Sequence, residues 1–279
     1  MIRRGIEYSA DPLGPTLLDL YLPDGVARPP LVVWVHGGSF VSGDRVTLPD
    51  TLSPGSVFGA LNSAGLACAS IDYRLAPAAR YPAPIEDTRA ALAFLTERAE
   101  RYGYDARRLG LWGESAGGLL ALLAGLGAAV AGAGSVAGPV VGAIVGWYPV
   151  TDILAMPMFS DAGSLAEAPE FALFGASPKA VAELAAEASP INLVSAAAPP
   201  VLLVHGEADA TVPVSQSLRL HERLLAAGAD STLRVIPGAD HCFKGHPDIR
   251  ALLDESVTFL AEHFAERPAG NAGDTAPDA

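Results

Sequence analysis

The sequence has little cysteine and little positive charge, and each shortage excludes something. Two cysteines, Cys68 and Cys242, in 279 residues cannot make a disulfide scaffold and point to a reducing compartment. Eighteen Lys and Arg against 31 Asp and Glu leave a formal net charge of −13. Such a surface repels polyanions, which argues against nucleic acid and anionic membranes as partners. A membrane-length apolar run is missing too. The nearest stretch, Leu119 to Val145, is broken by Gly125, Gly127, Gly132, Gly134, Gly138 and Pro139, and fits a helix, a loop and a strand better. Met1-Ile2-Arg3-Arg4 is basic but no apolar segment follows it, so the expectation is a cytoplasmic protein, or a mature chain whose leader has been removed. The sequence has no H-E-x-x-H, no paired C-x-x-C and no P-loop, so no metal or organic cofactor is expected. No internal repeat is visible.

What the sequence does have is apolar material in short blocks. Half of the residues are hydrophobic, enough for a sheet covered on both faces. Thr16–Leu22 alternates in part and ends at Pro23, which predicts an outer, antiparallel strand. Nearly continuous apolar runs follow at 31–35, 66–71, 109–112, 140–148, 201–204 and 232–236, the pattern of parallel strands buried on both faces. Helical patterns lie between them at 85–101, 116–129, 214–227 and 249–264. The alternation predicts one α/β domain over residues 1–266, with a doubly wound, mostly parallel sheet. Residues 151–198 are too long for a simple crossover. They read either as a small lid over a site or as a helical excursion that only covers the sheet. The polar, turn-forming stretch 267–279 predicts a disordered tail.

Four motifs carry chemistry. Gly113-Glu114-Ser115-Ala116-Gly117 matches G-x-S-x-G in the required setting of strand, sharp turn and helix, which is that of the α/β-hydrolase nucleophile. His36-Gly37-Gly38-Ser39-Phe40 follows the strand at 31–35, where such a fold builds half of its oxyanion hole. The N–H groups of Gly38, Ser39 and Ala116 are the candidate donors. Asp209 lies on a loop after the strand at 201–204, with Glu207 as a fallback acid, and His241 lies on the loop after the last strand. Asp72, Asp87, Asp152 and Asp240 read as structural, His36 as part of the glycine turn, and His221, His246 and His263 as surface residues. Ser115, Asp209 and His241 occur in the chain order that this fold uses, each at the carboxyl end of a strand. The expected chemistry is hydrolysis of a small carboxylic ester through an acyl-enzyme on Ser115, with His241 as base and Asp209 as its orienting acid.

With these residues in view, the sequence resembles known hydrolases. His36-Gly37-Gly38-Ser39-Phe40, Asp72-Tyr73-Arg74-Leu75-Ala76-Pro77 and the serine motif resemble the hormone-sensitive-lipase-like esterases. Leu18-Asp19-Leu20-Tyr21-Leu22-Pro23 and Val204-His205-Gly206-Glu207-Ala208-Asp209 are more like the feruloyl and acetyl-xylan-esterase-like relatives. The resemblance implies the α/β-hydrolase fold, carboxylesterase activity on short acyl chains, the triad Ser115–Asp209–His241, and structural roles for Arg74 and Asp87 near the site. Two positions depart from the pattern: Ser39 replaces the usual third glycine, and Cys242 stands where a glycine is common. The N-terminal stretch is short for a lipase-type cap, which disfavours long-chain lipids.

Phe40, Trp147, Met156, Phe159, Phe174 and Phe243 are candidates for lining an acyl or alcohol pocket, and plain core is the competing reading. The expected partner is a small-molecule ester, and the protein could be a monomer or a homodimer. Three rival functions stand beside the esterase: an arylformamidase-type amidase, a peptidase of short peptides and a catalytically silent small-molecule receptor.

Overall fold

The apolar blocks form one eight-stranded sheet. In the computed structural model, which describes residues 1–130, 140–156 and 168–265, the strands are β1 (Ile2–Asp11), β2 (Gly14–Tyr21), β3 (Pro30–Val35), β4 (Ala67–Ile71), β5 (Asp105–Glu114), β6 (Val141–Trp147), β7 (Val201–Gly206) and β8 (Ser231–Ile236). Their order is β1-β2-β4-β3-β5-β6-β7-β8. β2 pairs antiparallel with both β1 and β4, and every other neighbour is parallel. β3, β4, β6 and β7 are buried along their whole length, which is why their sequences are apolar without alternation.

The helices are α1 (Ser56–Ser63), α2 (Ala83–Glu97), α3 (Ala99–Tyr102), α4 (Ala116–Val130), α5 (Pro169–Phe174), α6 (Ala182–Glu187), α7 (Ser215–Ala226) and α8 (Ile249–Ala265). The pleat sends successive side chains to opposite faces. Leu31, Val33 and Val35 of β3 therefore join a core cluster with α2, α4 and α7. Val32 and Trp34 join a second cluster with α1 and α8.

Three elements differ from the sequence expectation. β1 was not expected, because its first four residues are exposed and show no apolar alternation. α1 is only eight residues long and contains Gly59, Asn62 and Ser63, too little for a periodic signal. The single helix expected over 85–101 is two, α2 and α3, broken at Arg98, whose φ −99° and ψ 6° are not helical. The described part of 151–198 is short helical turns whose Ile153, Leu173, Ala185 and Ile191 enter the larger core cluster. Phe159 and the segment 266–279 lie outside the described residues.

Candidate active site

The serine turn is built by close approach. β5 ends at Glu114 and α4 starts at Ala116, so Ser115 alone makes the corner, with φ 53°. That left-handed conformation costs a non-glycine residue about 1–2 kcal/mol. It is held by the Ser115 N–H, which donates to the Trp147 carbonyl at 2.9 Å. A Cβ on Gly113 would lie 2.2 Å from the Gly117 carbonyl oxygen, and one on Gly117 would lie 2.1 Å from the Val35 carbonyl oxygen. Both positions must be glycine for the turn to close against the end of β3.

His241 opens a 3-10 turn (His241–Phe243) after β8, and its ring meets both other candidates. Nε2 lies 3.2 Å from Ser115 Oγ, and Nδ1 lies 2.7 Å from Asp209 Oδ2. An ionised carboxylate can only accept, so in the neutral ring Nδ1 carries the proton and Nε2 is free to accept from the serine hydroxyl. Asp209 Oδ1 accepts the N–H groups of Thr211 at 2.9 Å and Val212 at 2.8 Å. Burial pushes the Asp209 carboxyl up, but hydrogen bonds from His205, His241 and the Val212 N–H outweigh it and hold the group well below the usual carboxylate range.

Two neighbours fix the loops. Asp240, read from the sequence as structural, accepts from the Ala210 N–H at 3.0 Å and the His241 N–H at 2.7 Å, so it joins the Asp209 loop to the His241 loop. His205 is fully buried behind Asp209. Its Nε2–H donates to the Val212 carbonyl at 2.8 Å and lies 3.5 Å from Asp209 Oδ2, while the Ser217 hydroxyl sits 2.7 Å from Nδ1. The sequence reading gave His205 no task. Its place two residues after Leu203 on β7, hence on the same inward face, is the signal that could have found it. The fallback acid Glu207 is turned away: it is exposed and accepts the Gly238 N–H at 3.2 Å.

The glycine turn faces this constellation. Gly38, Ser39 and Phe40 all have positive φ, at 108°, 57° and 64°. A Cβ on Gly38 would lie 2.1 Å from the Ser42 carbonyl oxygen. The turn is anchored by the Tyr73 hydroxyl on the His36 carbonyl at 2.9 Å, by His36 Nδ1 on the Gly37 carbonyl at 2.6 Å, and by the Gly37 N–H on Glu114 Oε1 at 2.6 Å. Among the described residues, the N–H groups of Gly38, Ser39 and Ala116 donate to no acceptor. Backbone donors inside a folded chain are rarely left over, and these three lie on the glycine turn (Gly38 and Ser39) and at the first residue of α4 (Ala116).

The described aromatic candidates and Met156 are all buried, in keeping with the plain-core alternative. Trp147 and Phe243 are 0 % exposed and pack in the smaller core cluster. The reason is the pleat: Trp147 points with Val145 into the α8 side of the sheet, where its Nε1–H donates to Ser256 Oγ at 2.9 Å and Phe243 meets its ring edge-on. Phe40, Met156 and Phe174 are also buried in the core, and Phe174 packs against Tyr81. Tyr148, unremarked in the sequence, sets its ring edge-on to the His241 imidazole with centroids 4.6 Å apart. His36 stacks on Tyr73 inside the core, and burial pushes its imidazole below the ordinary value. Arg74 holds Asp87 through Nε at 2.8 Å, and Asp72 and Asp152 pair with Arg45 and Arg219. His221, His246 and His263 are half-buried rather than exposed.

Known proteins are similar to this chain in sequence and in fold. Esterase LipC of Mycobacterium tuberculosis is 34% identical over 259 residues, which is 86% of this chain and 60% of that protein. The chain thus spans less than two thirds of that relative's length. Ethyl acetate hydrolase of Pseudomonas putida is 31% identical over 257 residues, 86% of this chain and 77% of that protein. The structure of a truncated carbohydrate esterase from gut microbiota superposes with a TM-score of 0.80 at 27% identity, covering 95% of this chain and 97% of that one. The fold is that of the α/β-hydrolases. Residues 18–224 match the BD-FAE family, a stretch that runs from β2 into α7 and takes in the glycine turn, the serine turn and Asp209, and the chain belongs to that family.

Proposed function

We propose that this chain hydrolyses small carboxylic esters with short acyl groups, through an acyl-enzyme on Ser115. The observation that carries the reading is the continuous line Ser115 Oγ, His241 Nε2, His241 Nδ1, Asp209 Oδ2, at 3.2 Å and 2.7 Å, beside three unused N–H groups. In this mechanism His241 takes the Ser115 proton as Oγ attacks the ester carbonyl. Asp209 stabilises the imidazolium that results, and the N–H groups of Gly38, Ser39 and Ala116 receive the oxyanion. The alcohol leaves with the proton from His241. A water deprotonated by the same ring then attacks the acyl-enzyme, and the free acid departs as Ser115 regains its proton. The names ethyl acetate hydrolase and carbohydrate esterase among the relatives favour a short acyl group on a small alcohol or a sugar.

The test is hydrolysis of p-nitrophenyl acetate, butyrate and octanoate by the wild type and by Ser115→Ala. Rates should fall with acyl length, and the variant should lose at least about 10⁴-fold in kcat. Equal rates in the two proteins, or none in either, would sink the assignment. An aryl formamide hydrolysed faster than the matching aryl ester would turn it into an amidase.

A further inference from the structure

Glu114 has no part in the proposed reaction, yet it stands beside Ser115 and is only 5 % exposed. It lies on the same face of β5 as Trp112, so a carboxyl group is buried on an aromatic face of the sheet. An apolar side chain there would avoid the desolvation cost of a carboxyl, so packing alone does not account for the residue. What the carboxyl meets is the Gly37 N–H, at 2.6 Å from Oε1. A Cβ on Gly37 would lie 2.3 Å from that oxygen, so the space next to residue 37 is filled by the carboxyl itself.

The turn that this bond holds is strained. Ser39 and Phe40 both adopt left-handed φ, at 57° and 64°, without being glycine. Such a turn relaxes unless its surroundings over-determine it. The Tyr73 contact from beyond β4 and the His36 contact from the end of β3 fix its carbonyls, and the Val41 and Ser42 N–H groups close it on itself through the Gly38 carbonyl. The Glu114 bond is different in kind, because its acceptor belongs to the residue that precedes Ser115.

We propose that Glu114 is a positioning residue whose side chain locks the glycine turn to the serine turn, so that the Gly38 and Ser39 N–H groups stand fixed relative to Ser115 Oγ. The inference rests on the esterase reading. Burial pushes the Glu114 carboxyl up, against the Gly37 N–H, which favours the charged form. The groups facing it are His241 and Cys242 from the last loop, Tyr148 from the end of β6, Tyr73 beyond β4, and Asp50.

The experiment compares Glu114→Gln, which keeps an acceptor at the same atom, with Glu114→Met, which fills the volume and has none. The Met variant should lose about 10²-fold in kcat with KM within about threefold of wild type. Inhibition by a trifluoromethyl ketone, which must place an oxyanion in the same site, should weaken by the same factor. The Gln variant should recover most of the rate. A Met variant with kcat within about threefold of wild type, or a Gln variant as slow as the Met variant, would overturn the proposal. Should the Met variant not fold, the Gly37 amide of ¹⁵N-labelled wild type decides: a proton far downfield supports the anchor, and one at the random-coil position overturns it. Wild type without esterase activity would sink the esterase reading instead and leave the amide shift to judge the bond by itself.

Discussion

On the β1–β2 side of the sheet, buried carboxylates meet arginines. Arg45 Nε lies 2.8 Å from Asp19, and Arg74 Nε lies 2.8 Å from Asp87, which also takes the Arg74 N–H at 2.8 Å. At the carboxyl ends of β5 and β7 the buried carboxylates meet none, although Asp105 at the start of β5 pairs with Arg107 and Arg108. Asp209 is held by the Thr211 and Val212 N–H groups and by two histidines, and Glu114 by the Gly37 N–H. A guanidinium keeps its charge at every working pH and would cancel a carboxylate permanently. Backbone N–H groups orient a carboxylate while leaving its charge available to a ring that gains and loses a proton. The first side is built to hold strands and loops, and the second to respond.

The largest test of this contrast is Asp209→Asn, which keeps the shape and removes the charge. kcat should fall about 10⁴-fold, measured under saturating ester. Because the folded Asp209 carboxyl is held below its ordinary value, it contributes stability above about pH 4 that is lost as pH falls through the lower folded value. Wild type and variant should therefore differ in stability at neutral pH and converge in acid. Asp87→Ala should lose stability and keep most of the rate. Breaking a buried ion pair should cost about 3 kcal/mol in urea unfolding, with kcat per folded molecule within about tenfold of wild type. If the two variants exchanged these effects, the contrast would fail.

Glu170 sharpens it from a third direction. It is buried, and among the described residues its Oε2 has neither an arginine nor an N–H partner. Burial pushes its carboxyl up to about 7. The native state then keeps a proton that the unfolded chain releases near pH 4.3, so stability is complete below about pH 4.3 and falls as pH rises through about 7. Glu170→Gln should remove that fall and gain about 3 kcal/mol over wild type at pH 8, with no difference in acid.

The inner strands were legible because burial on both faces leaves a run of apolar residues, as in Leu31–Val35 and Val201–Val204. β1 was not, since an exposed edge strand need bury little, and α1 was too short to show a period. Ser115, Asp209 and His241 could be chosen because motif, chain order and strand ends agreed. Glu114 and His205 could not, because nothing in a composition pattern says that a polar residue at the end of a buried strand points inward. The pleat says so once the strand is known to run to Glu114 or Gly206. Trp147 and Phe243 were ambiguous for the same reason, since an aromatic near a strand end serves core or pocket according to which face it takes.

The three tryptophans of the chain, Trp34, Trp112 and Trp147, are all in one buried cluster, with ring centroids 5.0–6.5 Å apart. The protein's intrinsic fluorescence therefore comes from a single place under the serine strand. Its emission should be blue-shifted and shielded from aqueous quenchers, and close edge-to-face packing should couple the rings into a strong near-ultraviolet dichroism. Surface events will pass unseen by this reporter, whereas any loosening at the centre of the sheet will reach all three chromophores together.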